Sequence, residues 1–331
     1  MKEQTTLKNI SDMLHISIST VSRALKNHPD ISDETKKKVM EAATMLEYEP
    51  NTYAINLRTK KSRLLGVIVS HISNYFYQSF IAAMEEEAKK AGYSLLILQS
   101  GDDPRTEIEN LRICRANRVA GIFISISPQT RDISPFLKFS ENNIPVIFFD
   151  KVPDLDTCNK VCIADEEAAT MAAEEIIFKK RKNVLAVFGD PELSITQKRL
   201  SAFKRTFEKF PDQHRLYILH ASSSEEAQRE VKQFITQETP DAIFAMSDEI
   251  LTGVMKVLLV RKVKIPEETA VIAISNDGFI PRLYEPEITY VETSGYELGR
   301  LAFRRMSDYQ NGKTFIQELL LPSKLIPGKS L

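Results

Sequence analysis

The sequence predicts a mixed α/β protein in which a small all-helical unit precedes a larger core of parallel sheets. Residues 5–25 have the pattern of two short helices joined by a tight turn. From Leu64 onwards, short apolar runs of strand length alternate with segments of helical periodicity. Polar residues directly follow most of these runs. Together these three observations predict the fold class.

The first two helices of the N-terminal unit are expected to begin at capping residues, Thr6 and Ser17. The apolar residues that recur at helical spacing form a buried stripe on each: Leu7, Ile10, Met13 and Leu14 on the first, and Val21, Ala24 and Leu25 on the second. The opposite face of the second helix is polar and basic. Two helices in this arrangement form a helix-turn-helix, which places one helix in the DNA major groove.

A third helix is needed because two short helices cannot bury enough apolar surface. Ser32 is expected to cap it, and its buried stripe is Val39, Ala42, Ala43 and Leu46. Residues 48–63, which follow it, have little core of their own. They are either a flexible basic linker or a short helix, about 51–58, that becomes ordered only on DNA.

The remainder of the chain reads as strands alternating with helices. Continuous apolar runs such as LLGVIVS, IPVIFFD and DAIFAMSD are typical of strands in a parallel sheet whose two faces are both covered by helices. In open α/β sheets, ligands bind outside the carboxyl ends of the strands. The polar residues that follow the strands therefore predict a ligand site before any relative is considered.

Charge and composition restrict the class of protein. Residues 1–63 carry 11 Lys and Arg against 8 Asp and Glu, whereas the rest carries 33 against 37, a modest footprint for nucleic-acid binding. No run of 18 apolar residues and no signal peptide is evident, so we expect a cytoplasmic protein without membrane contact. The three cysteines, Cys114, Cys158 and Cys162, favour a reducing compartment, and Cys158 and Cys162 are expected to be small buried residues.

The sequence carries no catalytic signature. The motifs GxSxG, HExxH, GxxxxGK[ST] and GxGxxG are absent, and the five histidines show no metal-ligand spacing. We therefore expect neither an enzyme, nor a metal site, nor a cofactor.

Several segments together resemble the lactose-repressor (LacI/GalR) family of bacterial transcription regulators. They are TLKNISDMLHISISTVSRALKNHPDIS, EPNTYAINLR, LLGVIVSHISNYFYQSF, the segment QKRLSAF around Arg199, PDAIFAMSDEILTG and PEITYVETSGYELGRLA. The resemblance covers nearly the whole chain, and STVSRAL is its most specific segment.

This resemblance implies a domain organisation. A helix-turn-helix headpiece, 1–50, is followed by a hinge helix or linker, 51–63, and by a core, 64–331, with two Rossmann-like lobes of the periplasmic-binding-protein-like (type I) fold. We expect the lobe nearer DNA at about 64–163 and 290–321, and the far lobe at about 164–289 and 322–331. Such proteins bind pseudo-palindromic double-stranded operators as homodimers, and a small carbohydrate bound between the lobes changes their DNA affinity.

The resemblance also assigns the DNA contacts. Ile18, Ser19 and Arg23 are expected to face the bases, where Arg23 can contact guanine and Ile18 a thymine methyl group. Phosphate contacts are expected from Thr6, Ser17, Thr20 and Ser22, although capping alone would also explain the serines. Leu57 stands at the place of the family's hinge leucine, which wedges into the minor groove. Its expected companions on the same short helix are Asn51, Ala54 and Asn56, and Arg58 is expected to add counterion release and salt dependence.

For the effector site, Arg199 matches an arginine that contacts the ligand, and Asp150 matches a ligand-facing carboxylate. Tyr75 and Phe76 stand where the family often places an aromatic ring, although core packing would explain them nearly as well. A weaker candidate is Ser125, at another strand end. Three further candidates stand at strand ends where the chain departs from the usual family residues: Ser247, Ser275 and Asn276.

The resulting hypothesis is a sequence-specific regulator, most consistent with a repressor of carbohydrate-utilisation genes that responds to a sugar-like effector. Two alternatives stay open. The core could sense a non-sugar ligand or a protein partner, or the protein could be a solute-binding protein, which the headpiece and the lack of a signal peptide oppose.

Overall fold

The computed structural model describes residues 5–49, 62–211, 213–313 and 318–331. The chain divides into two compact units, Met1–Lys61 and Ser62–Leu331.

The N-terminal unit contains the three helices that the sequence predicts: α1 Leu7–Leu14, α2 Ile18–Leu25 and α3 Asp33–Met45. Ser17 caps α2 by accepting the N–H of Thr20 at 3.1 Å, and Ser32 caps α3 by accepting the N–H of Thr35 at 3.3 Å. Thr6 precedes α1, where the Asn9 side chain accepts the Thr6 N–H at 2.8 Å.

The small core of this unit is built around Ile10, Val21 and Val39, which are fully buried. Met13 is 45% exposed, so its assignment to the buried stripe of α1 was wrong. The reason is geometric, because two neighbouring helices cover only a narrow face of a two-turn helix. The contacts of α2 with both α1 and α3 hold it firmly while leaving its outer face free.

The second unit contains two six-stranded sheets, in the orders β11-β5-β4-β3-β1-β2 and β12-β10-β9-β8-β6-β7. Among the described residues, every neighbouring pair is parallel except β10 and β12. The strands are β1 Leu64–Val69, β2 Ser94–Gln99, β3 Ile122–Ile124, β4 Val146–Phe149, β5 Asn159–Ile163, β6 Asn183–Phe188, β7 Arg215–His220, β8 Ala242–Ala245, β9 Ala270–Asn276, β10 Thr289–Thr293, β11 Glu318–Leu321 and β12 Lys324–Ile326.

Helices cover both faces of each sheet, which confirms the predicted fold class. They are α4 Tyr75–Lys90, α5 Pro104–Ala116, α6 Ser134–Glu141, α7 Asp165–Phe178, α8 Ser194–Phe207, α9 Ser224–Phe234, α10 Asp248–Val260 and α11 Gly295–Gln310, with a short 3-10 helix at Pro281–Leu283. One apolar cluster surrounds the second sheet, and two lie on opposite faces of the first.

The chain passes between the sheets after β5, after β10 and after β11, so each lobe is assembled from separate segments. We expected the second crossing at about residue 290. Instead, β10 pairs in parallel with β9 through Thr293 and belongs to the second sheet. The crossing falls at Ser294, which caps α11 by accepting the N–H of Glu297 at 3.1 Å.

Close helix packing in the second lobe depends on Gly253. A Cβ atom at this position of α10 would lie 2.3 Å from the backbone oxygen of Ser224, at the start of α9. No larger residue fits there without moving one helix away from the other.

The three cysteines are buried and free, as predicted for Cys158 and Cys162. Burial raises the pKa of the Cys114 thiol to about 12, so this sulfur stays protonated and unreactive at neutral pH. None of the helices in the described part of the chain is long and apolar enough to cross a membrane.

Candidate functional site

The outer face of α2 is a polar surface with one exposed apolar residue. Ile18 is 47% exposed, and Ser19 and Arg23 are exposed beside it. Val21 and Ala24 on the opposite side are buried, so the helix cannot rotate without losing its core contacts. The structure therefore presents together the three side chains that were expected to face base edges.

The N-terminus of α2 carries a cluster of hydroxyl groups. Ser17 Oγ lies 2.7 Å from Ser19 Oγ and 2.8 Å from Thr20 Oγ1. Because the first N–H groups of a helix carry partial positive charge, a phosphate is favoured at this end. Ser17 is therefore a helix cap, and the hydroxyl groups of Ser19 and Thr20 lie beside it, where phosphate contacts were expected.

Two other DNA-contact candidates, Thr6 and Ser22, do not belong to this hydroxyl cluster. Thr6 is exposed and donates its hydroxyl hydrogen to Asn9 Oδ1 at 2.6 Å, while Ser22 is half-buried. The candidates in the expected hinge lie outside the described residues: Asn51, Ala54, Asn56, Leu57 and Arg58.

A cavity of about 460 Å³ lies at the carboxyl ends of the strands in the second unit. Its wall combines residues that follow strands of both sheets with the first turns of α4, α8 and α10. Of the eight predicted effector-site residues, five line this cavity: Phe76, Asp150, Arg199, Ser247 and Asn276.

Asp150 follows β4 and has a backbone φ of 58°, in the left-handed region that Asp tolerates better than most residues. Its Oδ2 accepts the hydroxyl of Tyr77 at 2.6 Å and that of Ser125 at 3.4 Å. Burial raises the pKa of Asp150, although these hydrogen bonds and nearby cations oppose the shift. Burial and the adjacent carboxylate raise the pKa of Tyr77 well above its usual value, so Tyr77 is a donor here.

Ser125 is fully buried and lies behind Asp150, so it does not line the cavity as we expected. Its hydroxyl also lies 2.9 Å from that of Tyr77. The sequence placed Ser125 at a strand end correctly, but its side chain acts on a neighbouring carboxylate rather than on a ligand.

Arg199, on α8, forms a buried ion pair with Asp165 at the start of α7. Arg199 Nε and Nη2 each lie 2.8 Å from Asp165 Oδ1, and Nη1 donates to the backbone oxygen of Met246 at 2.9 Å. Burial raises the pKa of Asp165, and the guanidinium opposes that shift. A guanidinium has five N–H donors. Two of those in Arg199 have no partner among the described residues.

Asp248, the first residue of α10, holds two predicted site residues in place. Its Oδ1 accepts the Ser275 hydroxyl at 2.5 Å, and its Oδ2 accepts the Asn276 N–H at 2.9 Å. Burial raises the pKa of Asp248 to about 6 despite these bonds. Ser275 is buried and off the cavity wall because its hydroxyl turns towards Asp248, so it is not positioned to contact a ligand directly.

The two lobes touch across the mouth of the cavity. Asn74 Nδ2 donates to Glu249 Oε1 at 2.7 Å. Asn276 Nδ2 donates to the backbone oxygen of Tyr75 at 3.2 Å and to Ser79 Oγ at 3.0 Å, and its Oδ1 accepts the N–H of Gly295. Asn276 therefore lines the cavity and also ties β9 to α4 of the other lobe.

The two aromatic candidates have different environments. Phe76 lines the cavity and is half-buried. Tyr75 is 41% exposed, and its ring packs against Phe279 with centroids 5.1 Å apart, away from the cavity wall. Tyr75 is thus a contact between lobes rather than a platform for a ligand. Ser247 lines the cavity and also caps α10 by accepting the N–H of Ile250 at 3.4 Å.

Comparison with known families covers both units of the chain. Residues 62–328 match the family model of periplasmic binding proteins and the sugar-binding domain of the LacI family. Residues 6–51 match the model of bacterial regulatory proteins of the lacI family. The chain belongs to the LacI family.

One curated relative and two solved structures are similar to this LacI-family protein over most of its length. The HTH-type transcriptional regulator DegA of Bacillus subtilis (strain 168) is 26% identical over 98% of this chain and 97% of its own length. A lac repressor dimer, solved bound to operator and the anti-inducer ONPF, shares 21% identity, with a TM-score of 0.88 over 99% of each chain. A periplasmic binding protein/LacI transcriptional regulator from Alkaliphilus metalliredigens QYMF, complexed with D-xylulofuranose, has a TM-score of 0.71 and 24% identity over 81% of this chain and 99% of that one.

Membership of the LacI family identifies the protein as a DNA-binding transcriptional regulator, as the sequence predicted. Its relatives are regulators and not enzymes. No cluster of three or more His, Cys, Asp or Glu suited to a metal ion occurs within the described ranges.

Sequence reasoning missed several residues of this LacI-family site. Asp165 follows β5 and pairs with Arg199 across 34 positions, and Tyr77 reaches Asp150 across 73. Asn74 could have been found, because an Asn directly before an apolar helical run is a capping signal, and it does accept the N–H of Phe76 at 2.9 Å.

Proposed function

We propose that this regulator represses carbohydrate-utilisation genes, binds a pseudo-palindromic operator as a homodimer, and leaves it when a sugar-like ligand enters the cavity. The observation that carries the proposal is the cavity between two lobes, lined by several polar and charged side chains, in a chain whose N-terminal unit exposes the polar face of α2. Since operators are chromosomal, we also propose a cytoplasmic location.

The proposed organisation is a headpiece at 1–50, a hinge at 51–63 and a core at 64–331. We assign 64–163 and 294–321 to the first lobe, and 164–293 and 322–331 to the second, following the membership of the strands in the two sheets. The lac repressor solved as an operator-bound dimer supports dimeric binding for this chain as well.

The chemistry of the cavity supports a hydroxyl-rich ligand. Asp150 has one carboxylate oxygen without a hydrogen bond in the described structure, and Arg199 has two free N–H donors. An acceptor and donors beside the half-buried ring of Phe76 suit a sugar, which presents both hydroxyl groups and an apolar face. The relative complexed with D-xylulofuranose supports the same class.

A selection experiment tests the DNA-binding part of the proposal. The full chain is used to enrich sites from random duplex DNA, and we expect an inverted repeat to emerge. Arg23→Ala should weaken binding to the selected site by about 1–3 kcal/mol and relax the preference at one base pair of each half-site. Arg229→Ala, an exposed arginine of the core, is the matched control and should bind as the wild type does.

Two results would contradict this part of the proposal. One is the absence of an enriched inverted repeat. The other is equal binding by Arg23→Ala and the wild type, which would remove α2 as the base-reading element.

A further inference from the structure

The cavity wall carries an unbalanced set of charges. Two of its residues have basic side chains, Lys151 and Arg199. Five carry carboxylates: Asp102, Asp150, Asp190, Asp248 and Glu249. The wall is therefore acidic, although the chain as a whole has a net charge of only −1.

Both cations are already engaged by carboxylates. Lys151 Nζ lies 2.9 Å from Asp102 Oδ1, and the two side chains are 16% and 31% exposed. Arg199 is paired at 2.8 Å with Asp165, which lies behind the wall, and these side chains are 6% and 5% exposed. Both cations also act electrostatically on Asp150, but within the described residues neither forms an ion pair with the other four carboxylates of the wall.

The other four carboxylates have only uncharged hydrogen-bond donors within the described residues. Asp150 accepts from the hydroxyl groups of Tyr77 and Ser125, and Asp248 from Ser275 and a backbone N–H. Glu249 accepts from the Asn74 amide and Asp190 from the Glu192 N–H. Such donors stabilise a carboxylate but leave its charge in place.

Three of these carboxylates also retain a free oxygen. Asp150 Oδ1, Glu249 Oε2 and Asp190 Oδ2 accept no hydrogen bond in the described structure, whereas both oxygens of Asp248 are occupied. Of the two in the second lobe, only Glu249 is hydrogen-bonded to the first lobe, through Asn74. Asp150 belongs to the first lobe and Glu249 to the second, so one ligand group held by both would draw the lobes together.

We propose that the effector carries a protonated amine beside its hydroxyl groups, as an amino sugar or amino polyol does, and that Asp150 and Glu249 accept the ammonium group. The attraction between an ammonium group and a carboxylate is stronger in a partly buried site than in water. The negative charge of the wall also disfavours phosphorylated sugars and sugar acids, because each would bring a further anion to it. This inference rests on the proposed function and specifies the ligand class for its cavity.

Two matched series of probes test the charge preference at pH 7 and constant ionic strength. The first compares glucosamine with glucose and gluconate. The second compares protonated tris(hydroxymethyl)aminomethane, pentaerythritol and 2,2-bis(hydroxymethyl)propionate, which share one branched core and differ in charge. Binding to the full chain is measured by calorimetry and by the rise in melting temperature, with chloride matched throughout.

In at least one series, we expect the cationic member to bind at least tenfold more tightly than the neutral one, and the anion more weakly than either. Glu249→Gln and Asp150→Asn should each reduce the preference for the cation at least fivefold. Glu166→Gln changes an exposed carboxylate of α7 that does not line the cavity, and it should leave the preference unchanged.

Equal binding of the charged and neutral probes, tighter binding of the anions, or no binding in either series would overturn the proposal. Operator binding by the same preparation separates this failure from that of the proposed function. If operator DNA is still bound and a neutral sugar stabilises the core, the regulator proposal stands and only the ammonium assignment falls.

Discussion

Replacing Arg199 by alanine should destabilise the core strongly, because the substitution leaves the Asp165 carboxylate buried without its cation. Breaking a buried pair from one side costs about 3–5 kcal/mol. The two side chains are 6% and 5% exposed and 2.8 Å apart, so solvent screening does little to reduce this cost. We therefore expect Arg199→Ala to lower the free energy of unfolding by about 3–5 kcal/mol at pH 7.5, measured by urea denaturation.

The dependence of this loss on pH distinguishes the charge effect from the loss of packing. Burial already raises the pKa of Asp165, and removing the guanidinium raises it further. A carboxyl group whose folded pKa is raised stabilises the fold most at low pH, and that stability is lost as the pH rises towards the folded pKa. The deficit of Arg199→Ala should therefore be smaller at pH 5 than at pH 8.

A double-mutant cycle provides the control. Arg199→Met combined with Asp165→Asn removes both charges, so the double variant should be less destabilised than the sum of the single variants by at least 1 kcal/mol. A loss below about 1 kcal/mol in Arg199→Ala, or strict additivity in the cycle, would refute the buried-pair argument. Ligand response in Arg199→Ala is interpretable only at a temperature where the variant is folded.

Four further outcomes are expected. Gly253→Ala should cost at least about 2 kcal/mol in urea denaturation, because its Cβ would lie 2.3 Å from the Ser224 oxygen, and an equally stable variant would contradict the packing. Ser17→Ala should lower headpiece stability by about 1 kcal/mol in thermal melting, whereas Ser17→Asp should restore the cap. The wild type should lose up to about 3 kcal/mol of unfolding free energy as the pH rises from 4 to 6, because the pKa of Asp248 is about 6 in the folded protein and ordinarily 3.8. Asp248→Asn should abolish this loss. Leu57→Ala should weaken operator binding at least tenfold with dimerisation intact by sedimentation, and unchanged affinity would exclude a minor-groove wedge.

Local signals in the sequence predicted the elements well, because capping and periodicity act over a few residues. Ser17 and Ser32 both cap the helices to which they were assigned. The strand-end rule also placed Asp150 and Ser247 at one cavity. Periodicity was less reliable at the margin of a buried stripe, as the exposed Met13 shows.

The finer structure of the site depends on contacts between distant parts of the chain. Asn74 and Glu249 meet across 175 positions, and no local pattern predicts that contact. Ser125 and Ser275 were correctly placed at strand ends, yet each turns its hydroxyl towards a carboxylate rather than into the cavity. Which side chains face a ligand is decided by partners that only the packed fold brings together.

The central claim is that the cavity and the DNA-reading helix are coupled. The most direct measurement is the operator affinity of the full chain, by fluorescence anisotropy, with and without a compound that calorimetry shows to bind the core. We expect operator affinity to fall at least fivefold on saturation, and the affinity for the compound to fall by the same factor when operator is bound. A compound that saturates the core and leaves operator affinity unchanged would contradict the account.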